Sequence, residues 1–449
     1  MTAAVIVGLL LPIATGLLLV SRPLAPGRSV WLERLLRLPM AMGLGVGIHA
    51  TGFFLSLLLF DGTLAGTAVV DAVLLLLAGA GWVANRSAEA PTFEPPLPHL
   101  GSLRRGLAVF LILLLLVSTI AFVFASIEEP HGGWDAWAIW NLRARFLARA
   151  DTHWPAAFSS NMQHTDYPLL VPGAIARIWT YSPGESPLAP IALVLLFALS
   201  TIALTCGALA VLRSNGQALL AGLCLTPVLL NEAAYQYADI EVGFYLLLSL
   251  VLLAWHDRGR RTERRLVALA GLAAAMAAWT KNEGLLFLLA IAVGRVVARR
   301  QDRVWPFFAG AAPVLAALAY FKLTLAPSND LLPHLDWGQL LRPERYRELA
   351  SACARELSAS RELTTAALLP LGAYLLLLGR SAKQESPTFP WLVTLATSVA
   401  ALLILYLVAP RELEWFVANS MDRLGLQLYP VLLCVTFLFA ASPEERLRK

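Results

Sequence analysis

Residues able to do chemistry gather in a few short stretches of this 449-residue chain. The first reads Glu128-Glu129-Pro130-His131-Gly132-Gly133-Trp134-Asp135-Ala136-Trp137. Two glycines end whatever helix precedes them, and a new helix is predicted to start at Trp134 or Asp135. An Asp in a first helical turn can serve as an N-cap that suits the helix dipole. Held at a water-facing edge, the same carboxylate can take a proton from an attacking hydroxyl. Trp137, Ile139, Trp140 and Phe146 then alternate with Arg143, Arg145 and Arg149, the pattern of a short amphipathic helix among lipid headgroups. Next, His164-Thr165-Asp166-Tyr167-Pro168-Leu169-Leu170-Val171-Pro172 sets a carboxylate and an imidazole in a turn stiffened by two prolines. Such a turn could bind a metal or a sugar phosphate, or could simply close a polar loop. His131, His153 and His164 share the loop without HExxH spacing, so no zinc site is expected.

Three later stretches carry similar groups. Tyr235-Gln236-Tyr237-Ala238-Asp239-Ile240-Glu241 runs straight into an apolar segment, which puts Asp239 and Glu241 at the membrane edge. Ionisable groups there are costly and usually face a cavity or a partner. Trp279-Thr280-Lys281-Asn282-Glu283-Gly284 interrupts another apolar run. Its lysine could snorkel to the headgroups, or could ligate a phosphate. Arg423 precedes the final apolar segment and could grip a phosphate or pair with Asp422. Asp71 stands alone in an apolar run with no partner that the sequence can name. Between 343 and 362, Arg and Glu alternate with small apolar residues, as on a solvated helix laced with ion pairs.

The elements that must position these groups are membrane helices. Side chains are 58% hydrophobic and 14% charged, with a mean hydropathy of +0.66, and a soluble chain of this length could not cover itself in water. The four cysteines form no CxxC, and no structural disulfide is expected. The net charge of +5 lies in short clusters between apolar runs, not along a nucleic-acid-tracking face. Apolar runs near 2–20, 39–60, 64–84, 106–125, 188–212, 217–230, 240–256, 266–280, 284–298, 304–324, 363–379, 389–408 and 425–441 predict an all-α polytopic bundle of about thirteen spans. The first reads as a span and not as a cleaved signal.

Alternate connections hold 22 of the 35 Lys and Arg residues, which assigns them to the cytoplasm, with the N-terminus outside and the C-terminus inside. Both long loops, 126–187 and 327–362, then fall on the outer side. ATP and nucleotide-sugars are scarce there, and no GxxxxGK[ST] or GxGxxG motif follows a strand.

The order and common sidedness of these motifs resemble the GT-C superfamily of membrane glycosyltransferases. The resemblance is closest to the protein O-mannosyltransferases, the lipid A aminoarabinose transferase and related bacterial enzymes. It covers the chain from about Gly106, with residues 1–105 as additional N-terminal helices. Gly133-Trp134-Asp135-Ala136-Trp137 matches the catalytic Asp at the head of an interfacial helix. Asp166-Tyr167-Pro168-Leu169 matches the turn that re-enters the membrane, Tyr237-Ala238-Asp239 a Tyr-x-Asp segment, and Thr280-Lys281 the donor-phosphate turn. Asp135 lacks the adjacent second acid of several relatives, and Asp166-Tyr167 stands where some carry an acid followed by Lys.

The resemblance implies an inverting transfer in the bacterial inner membrane. A sugar would move from a polyprenyl phosphate to a hydroxyl of a lipid, glycan or protein acceptor on the outer face. Asp135 and Asp166 would be catalytic, with Asp135 the general base. His164, Tyr167, Tyr237, Asp239, Glu241, Lys281, Glu283 and Arg423 would bind substrate, Lys281 at the donor phosphate. A divalent cation, Mg or Mn, is left open as a cofactor. Two other classes compete: a secondary transporter or lipid flippase, expected to show mid-span charges and inverted repeats, and a polymerase or ligase moving a whole lipid-linked glycan.

Overall fold

Long apolar runs punctuated by Gly, Pro and charge clusters fold as helices, and no strand occurs among the described residues. The computed structural model describes residues 2–21, 30–84, 101–149, 154–182, 184–258, 264–298, 304–329, 331–359, 368–382 and 387–446. His153, Arg361 and Glu362 lie outside them.

The N-terminal helices are α1 (Thr2–Leu19), α2 (Val30–Phe60) and α3 (Leu64–Ala84). Then α4 (Gly101–Glu128) leads to a π-helical turn, Ala136–Trp140, followed by α5 (Asn141–Ala148) and α6 (Leu170–Thr180). The central helices are α7 (Leu188–Leu212), α8 (Asn215–Ala233), α9 (Asp239–Arg258), α10 (Arg264–Thr280), α11 (Asn282–Val297) and α12 (Val304–Thr324). Two short 3-10 turns precede α13 (Pro343–Ala359), and α14 (Leu369–Leu378), α15 (Thr388–Val408), α16 (Leu413–Phe439) and α17 (Pro443–Arg446) complete the chain.

Eight of these helices are long and apolar enough to cross a membrane: α2, α3, α4, α7, α9, α12, α15 and α16. The molecule is an α-helical integral membrane protein. The described parts of the other five expected spans are helical too, but shorter than these eight; residues 363–367 of the span expected at 363–379 lie outside the described residues.

Helix α9 is the axis of the bundle, buried from Asp239 to His256 and packed against α10, α16 and α7. In lipid, apolar surface alone does not drive helices together, so close packing relies on small side chains. Helix α10 meets that need with its Ala- and Gly-rich sequence. At its crossing with α12, a Cβ on Gly271 would overlap the Phe307 carbonyl, and one on Gly310 the Ala268 carbonyl. By contrast α4 packs one side against α8 and leaves the other exposed, as a lipid-facing helix does.

Four expectations change. Helix α2 begins at Val30, nine residues before the expected span, and carries Glu33, Arg34 and Arg37 on its first turns. Helix α16 begins at Leu413, twelve residues before the expected span, because nothing between Leu413 and Leu424 breaks a helix; Arg423 is therefore helical. The segment after Asp135 is not an interfacial helix throughout: Trp134 and Trp137 are exposed, but Ile139, Trp140 and Arg143 are buried. Asp71 is not alone, because His49, Arg177 and Tyr181 all bond its carboxylate. Helix α13 does carry the expected ion pairs, Arg347 with Glu344 and Arg345 with Glu348, each at 3.6 Å, and Arg355 reaches Glu414 of α16 at 3.2 Å. All four cysteines are free.

Candidate functional site

Asp135 is placed by two glycines. Gly132 adopts φ 71°, in the left-handed region that favours glycine. A Cβ on Gly133 would lie 2.6 Å from the Tyr237 hydroxyl, so a larger residue here would push that ring aside. The Gly133 amide donates to the Tyr235 carbonyl at 3.0 Å, and the Gln236 side chain donates to the Pro130 carbonyl at 3.2 Å. These bonds stitch the loop after α4 to the turn that leads into α9.

Asp135 makes no capping hydrogen bond, which corrects the N-cap reading. The reason is local: the Gly133 carbonyl already accepts the amides of Ala136 and Trp137. The Asp135 carboxylate is left for Arg423, whose Nη1 stands 2.7 Å from Oδ2.

Arg423 does not pair with Asp422. Its Nε bonds Asp239 Oδ2 at 3.0 Å, and its guanidinium lies 4.8 Å from the centre of the Tyr237 ring. Asp239 Oδ1 accepts from Lys281 Nζ at 2.8 Å and from Gln427 Nε2 at 2.6 Å. Lys281 reaches it from an extended residue (φ −145°, ψ 161°) between α10 and α11, and also stands 3.4 Å from Glu283. Asp135, Arg423, Asp239, Lys281 and Glu283 thus form one alternating charge chain drawn from four parts of the sequence. Burying such charges requires this mutual compensation.

A second cluster surrounds Asp166. Its Oδ2 accepts from Asn329 at 2.6 Å, Asn282 at 2.9 Å and Lys322 at 3.2 Å. Lys322 also donates to the Asp166 carbonyl and, at 2.8 Å, to Asn282 Oδ1. Burial alone would raise the Asp166 carboxyl, but the Asn329 amide and the Lys322 charge, with Asn282, hold it below the usual carboxylate range.

The backbone beneath is gripped by Arg143, which donates to the carbonyls of Tyr167 at 2.8 Å and His164 at 2.6 Å. Burial draws this guanidinium down to about 10, so it stays cationic at neutral pH. His164 sits at φ 47° and stacks on Tyr167 at 4.9 Å, while Trp140 stacks on Tyr167 at 5.6 Å. Lys281 Nζ lies 6.0 Å from the centre of the Tyr167 ring. Burial, reinforced by the Glu283 charge, raises the Tyr167 hydroxyl well above its ordinary value, so it is present as a neutral donor.

Both clusters border one cavity of about 1320 Å³. Its polar end is formed by His164, Asp166, Tyr167, Lys281, Asn282, Glu283, Lys322, Asn329, Arg411 and Arg423. Its flanks are apolar, with Leu285, Leu289 and Val293 from α11, Leu315 and Leu318 from α12, and Leu402 and Leu405 from α15. Asp135, Tyr237 and Asp239 do not line it and reach it through Arg423 and Lys281. Glu241 is buried on α9 off the cavity wall, with Oε2 unpaired.

Asn282, Lys322, Asn329 and Gln427 escaped sequence reasoning. Gln427 and Lys322 carried a signal, as polar groups inside or ending apolar helices. Asn329 carried none.

The donor set does not fit a divalent cation. Asp166 faces an ammonium and two amide N–H groups, and Asp135 and Asp239 are engaged by cationic side chains. Hard cations take oxygen ligands. Among the described residues no group of three or more His, Cys, Asp or Glu side chains converges. No family model, curated protein or solved structure matches the chain.

Proposed function

We propose that the protein is a lipid-phosphate-dependent glycosyltransferase, with its cavity on the extracytoplasmic face. One observation carries the reading: a single cavity joins a long apolar trough to a polar end holding carboxylates and cations together. That shape suits a ligand with a hydrocarbon tail, an anionic link and a hydroxylated head, as a prenyl-phosphate sugar has. The motif order and the basic cytoplasmic connections support the same reading and orientation, and the shorter helices would complete the expected spans.

The chemistry follows from the charge chain. The tail lies along α11, α12 and α15, and the phosphate meets Lys281 and Arg423. Asp166 and Glu283 accept from sugar hydroxyls, with Asp166 held in place by Asn282, Asn329 and Lys322. Arg423 is shared between Asp135 and Asp239; an arriving phosphate competes for it and frees an Asp135 oxygen. With Arg423 drawn onto the phosphate, Asp135 opens to the polar end of the cavity and takes the proton of the acceptor hydroxyl as that hydroxyl oxygen attacks the anomeric carbon. The carbon–oxygen bond to phosphate breaks, and prenyl phosphate leaves with the electron pair, its new charge met by Lys281 and Arg423.

The test is incubation of purified protein with synthetic prenyl-phosphate sugars and lipid or glycan acceptors, with products read by mass spectrometry. Asp135→Asn should lower turnover about 10²–10⁴-fold, the worth of a positioned base, while the protein still inserts. Full activity in that variant would refute the assignment. Transfer should survive a chelator, because the carboxylates already have cationic partners. Transfer of a whole oligosaccharide would instead identify a ligase.

The buried Asp71–Arg177 pair favours a second reading, since transporters place ionisable groups within the bilayer. Ion-driven uptake in proteoliposomes would support it. The pair is fully compensated and lies off the cavity, which favours the first reading.

A further inference from the structure

Asp71 gathers an unusual number of bonds in the interior. His49 Nδ1 lies 2.6 Å from Oδ1, and the Tyr181 hydroxyl donates to Oδ2 at 2.7 Å. Arg177 grips both oxygens, through Nε at 3.0 Å and Nη2 at 2.7 Å, and its Nη1 donates to the Gly8 carbonyl at 2.7 Å. His49 Nε2 in turn stands 2.9 Å from the Thr15 hydroxyl. One carboxylate therefore ties α1, α2 and α3 to α6. None of these side chains lines the cavity.

We propose that this hub is a positioning device that fixes α6 and, through it, the Asp166–Tyr167 segment at the polar end of the cavity. Arg177 lies seven residues into the helix from Leu170, about 10 Å along its axis. Leu170 follows Asp166-Tyr167-Pro168-Leu169 directly, and Pro168 and Pro172 leave that junction little freedom. Helix α6 lies directly on α2, since a Cβ on Gly173 would meet the Ala50 carbonyl at 3.3 Å.

Stability alone gives no reason for such a pair, because a buried ion pair roughly breaks even against apolar side chains. Geometry does. A guanidinium fork on a carboxylate has one orientation, so it sets both the rotation and the depth of α6. Apolar packing would tolerate a slide that moves Asp166 away from Lys322, Asn282 and Asn329. The N-terminal helices thereby act on the site without touching it.

The consequence for catalysis rests on the transferase reading; the mechanical coupling does not. Hydrogen exchange of the full-length protein in detergent tests the coupling. In Asp71→Asn, exchange of the Tyr167 amide, which donates to the His164 carbonyl at 3.0 Å, should rise about tenfold, as when one charged hydrogen bond is lost. The outer turn 231–238 should stay unchanged. Arg177→Lys, which keeps the charge and loses the fork, should give an intermediate rise. If Asp71→Asn fails to fold, Tyr181→Phe removes one bond and should shift exchange the same way by less. A change confined to α1–α3, or no change at Tyr167 in any foldable variant, overturns the proposal. With a prenyl-phosphate sugar as substrate, Tyr181→Phe should lower kcat and leave the donor KM within about twofold, the signature of lost positioning. Altered exchange in a protein whose wild type transfers no sugar would reject the transferase reading and leave the coupling standing.

Discussion

Replacing Asp239 with Asn gives the sharpest test of the charge chain. Asp239 is 1% exposed and accepts three bonds, from Lys281, Arg423 and Gln427. Asn retains one carbonyl oxygen and no charge. Arg423 still has Asp135 at 2.7 Å, but Lys281, 3% exposed, keeps only Glu283 at 3.4 Å. Removing one partner of a buried pair typically costs 3–5 kcal/mol, mostly from the stranded charge. With Arg423 retained, the low end applies, so about 3 kcal/mol is expected. Lys281→Met in the same chain removes the stranded charge, and the double variant should be more stable than Asp239→Asn alone. The assay is reversible unfolding in mixed micelles, followed by tryptophan fluorescence and analysed as a double-mutant cycle. Effects of the two single changes adding within about 0.5 kcal/mol would show no coupling and refute the reasoning.

The Asp166 carboxyl is held below its ordinary value of about 3.9. Its contribution is therefore fully present above that value and lost only as pH falls through the lower folded-state value. Amides of Leu331 and Leu332, held by Asn329 Oδ1 at 2.9 and 2.7 Å, should keep their protection down to the ordinary carboxylate value and lose it only at more acidic pH. Loss by pH 6 in hydrogen exchange would contradict this. Gly271→Leu should force α10 and α12 apart at the Phe307 carbonyl and destabilise by about 1–3 kcal/mol, the usual range for overpacking. Unfolding in the same micelles measures it, and Gly106→Leu, with open space at its Cβ, should be neutral.

The carboxylates and cations of the charge chain were legible because each stands out against apolar neighbours. Asp135, Asp239, Lys281 and Arg423 were all visible, and the structure joins them. Their pairing was not visible, since 184 residues separate Asp239 from Arg423 and helix packing alone unites them. Arg143 looked like a headgroup contact because arginines alternate with aromatics around it; its burial under the 164–167 turn depends on a neighbouring loop. Asp71 seemed unpartnered because Arg177 lies in a segment too short to read as a span. The helix boundaries departed most from the apolar pattern at α2, α4 and α16, where helix continues into polar sequence.

Arg423 arrives late. At a synthesis rate of about 5–20 residues per second, the 184 residues between Asp239 and Arg423 take roughly 10–40 s to make. Throughout that interval Asp135 and Asp239 are already translated without the cation they share. The nascent bundle must therefore keep that corner hydrated, and it can dry out only when α16 slots in beside α9. Assembly of the pocket is in this sense a closing step of biogenesis, and lesions in α16 should leave an inserted yet waterlogged protein.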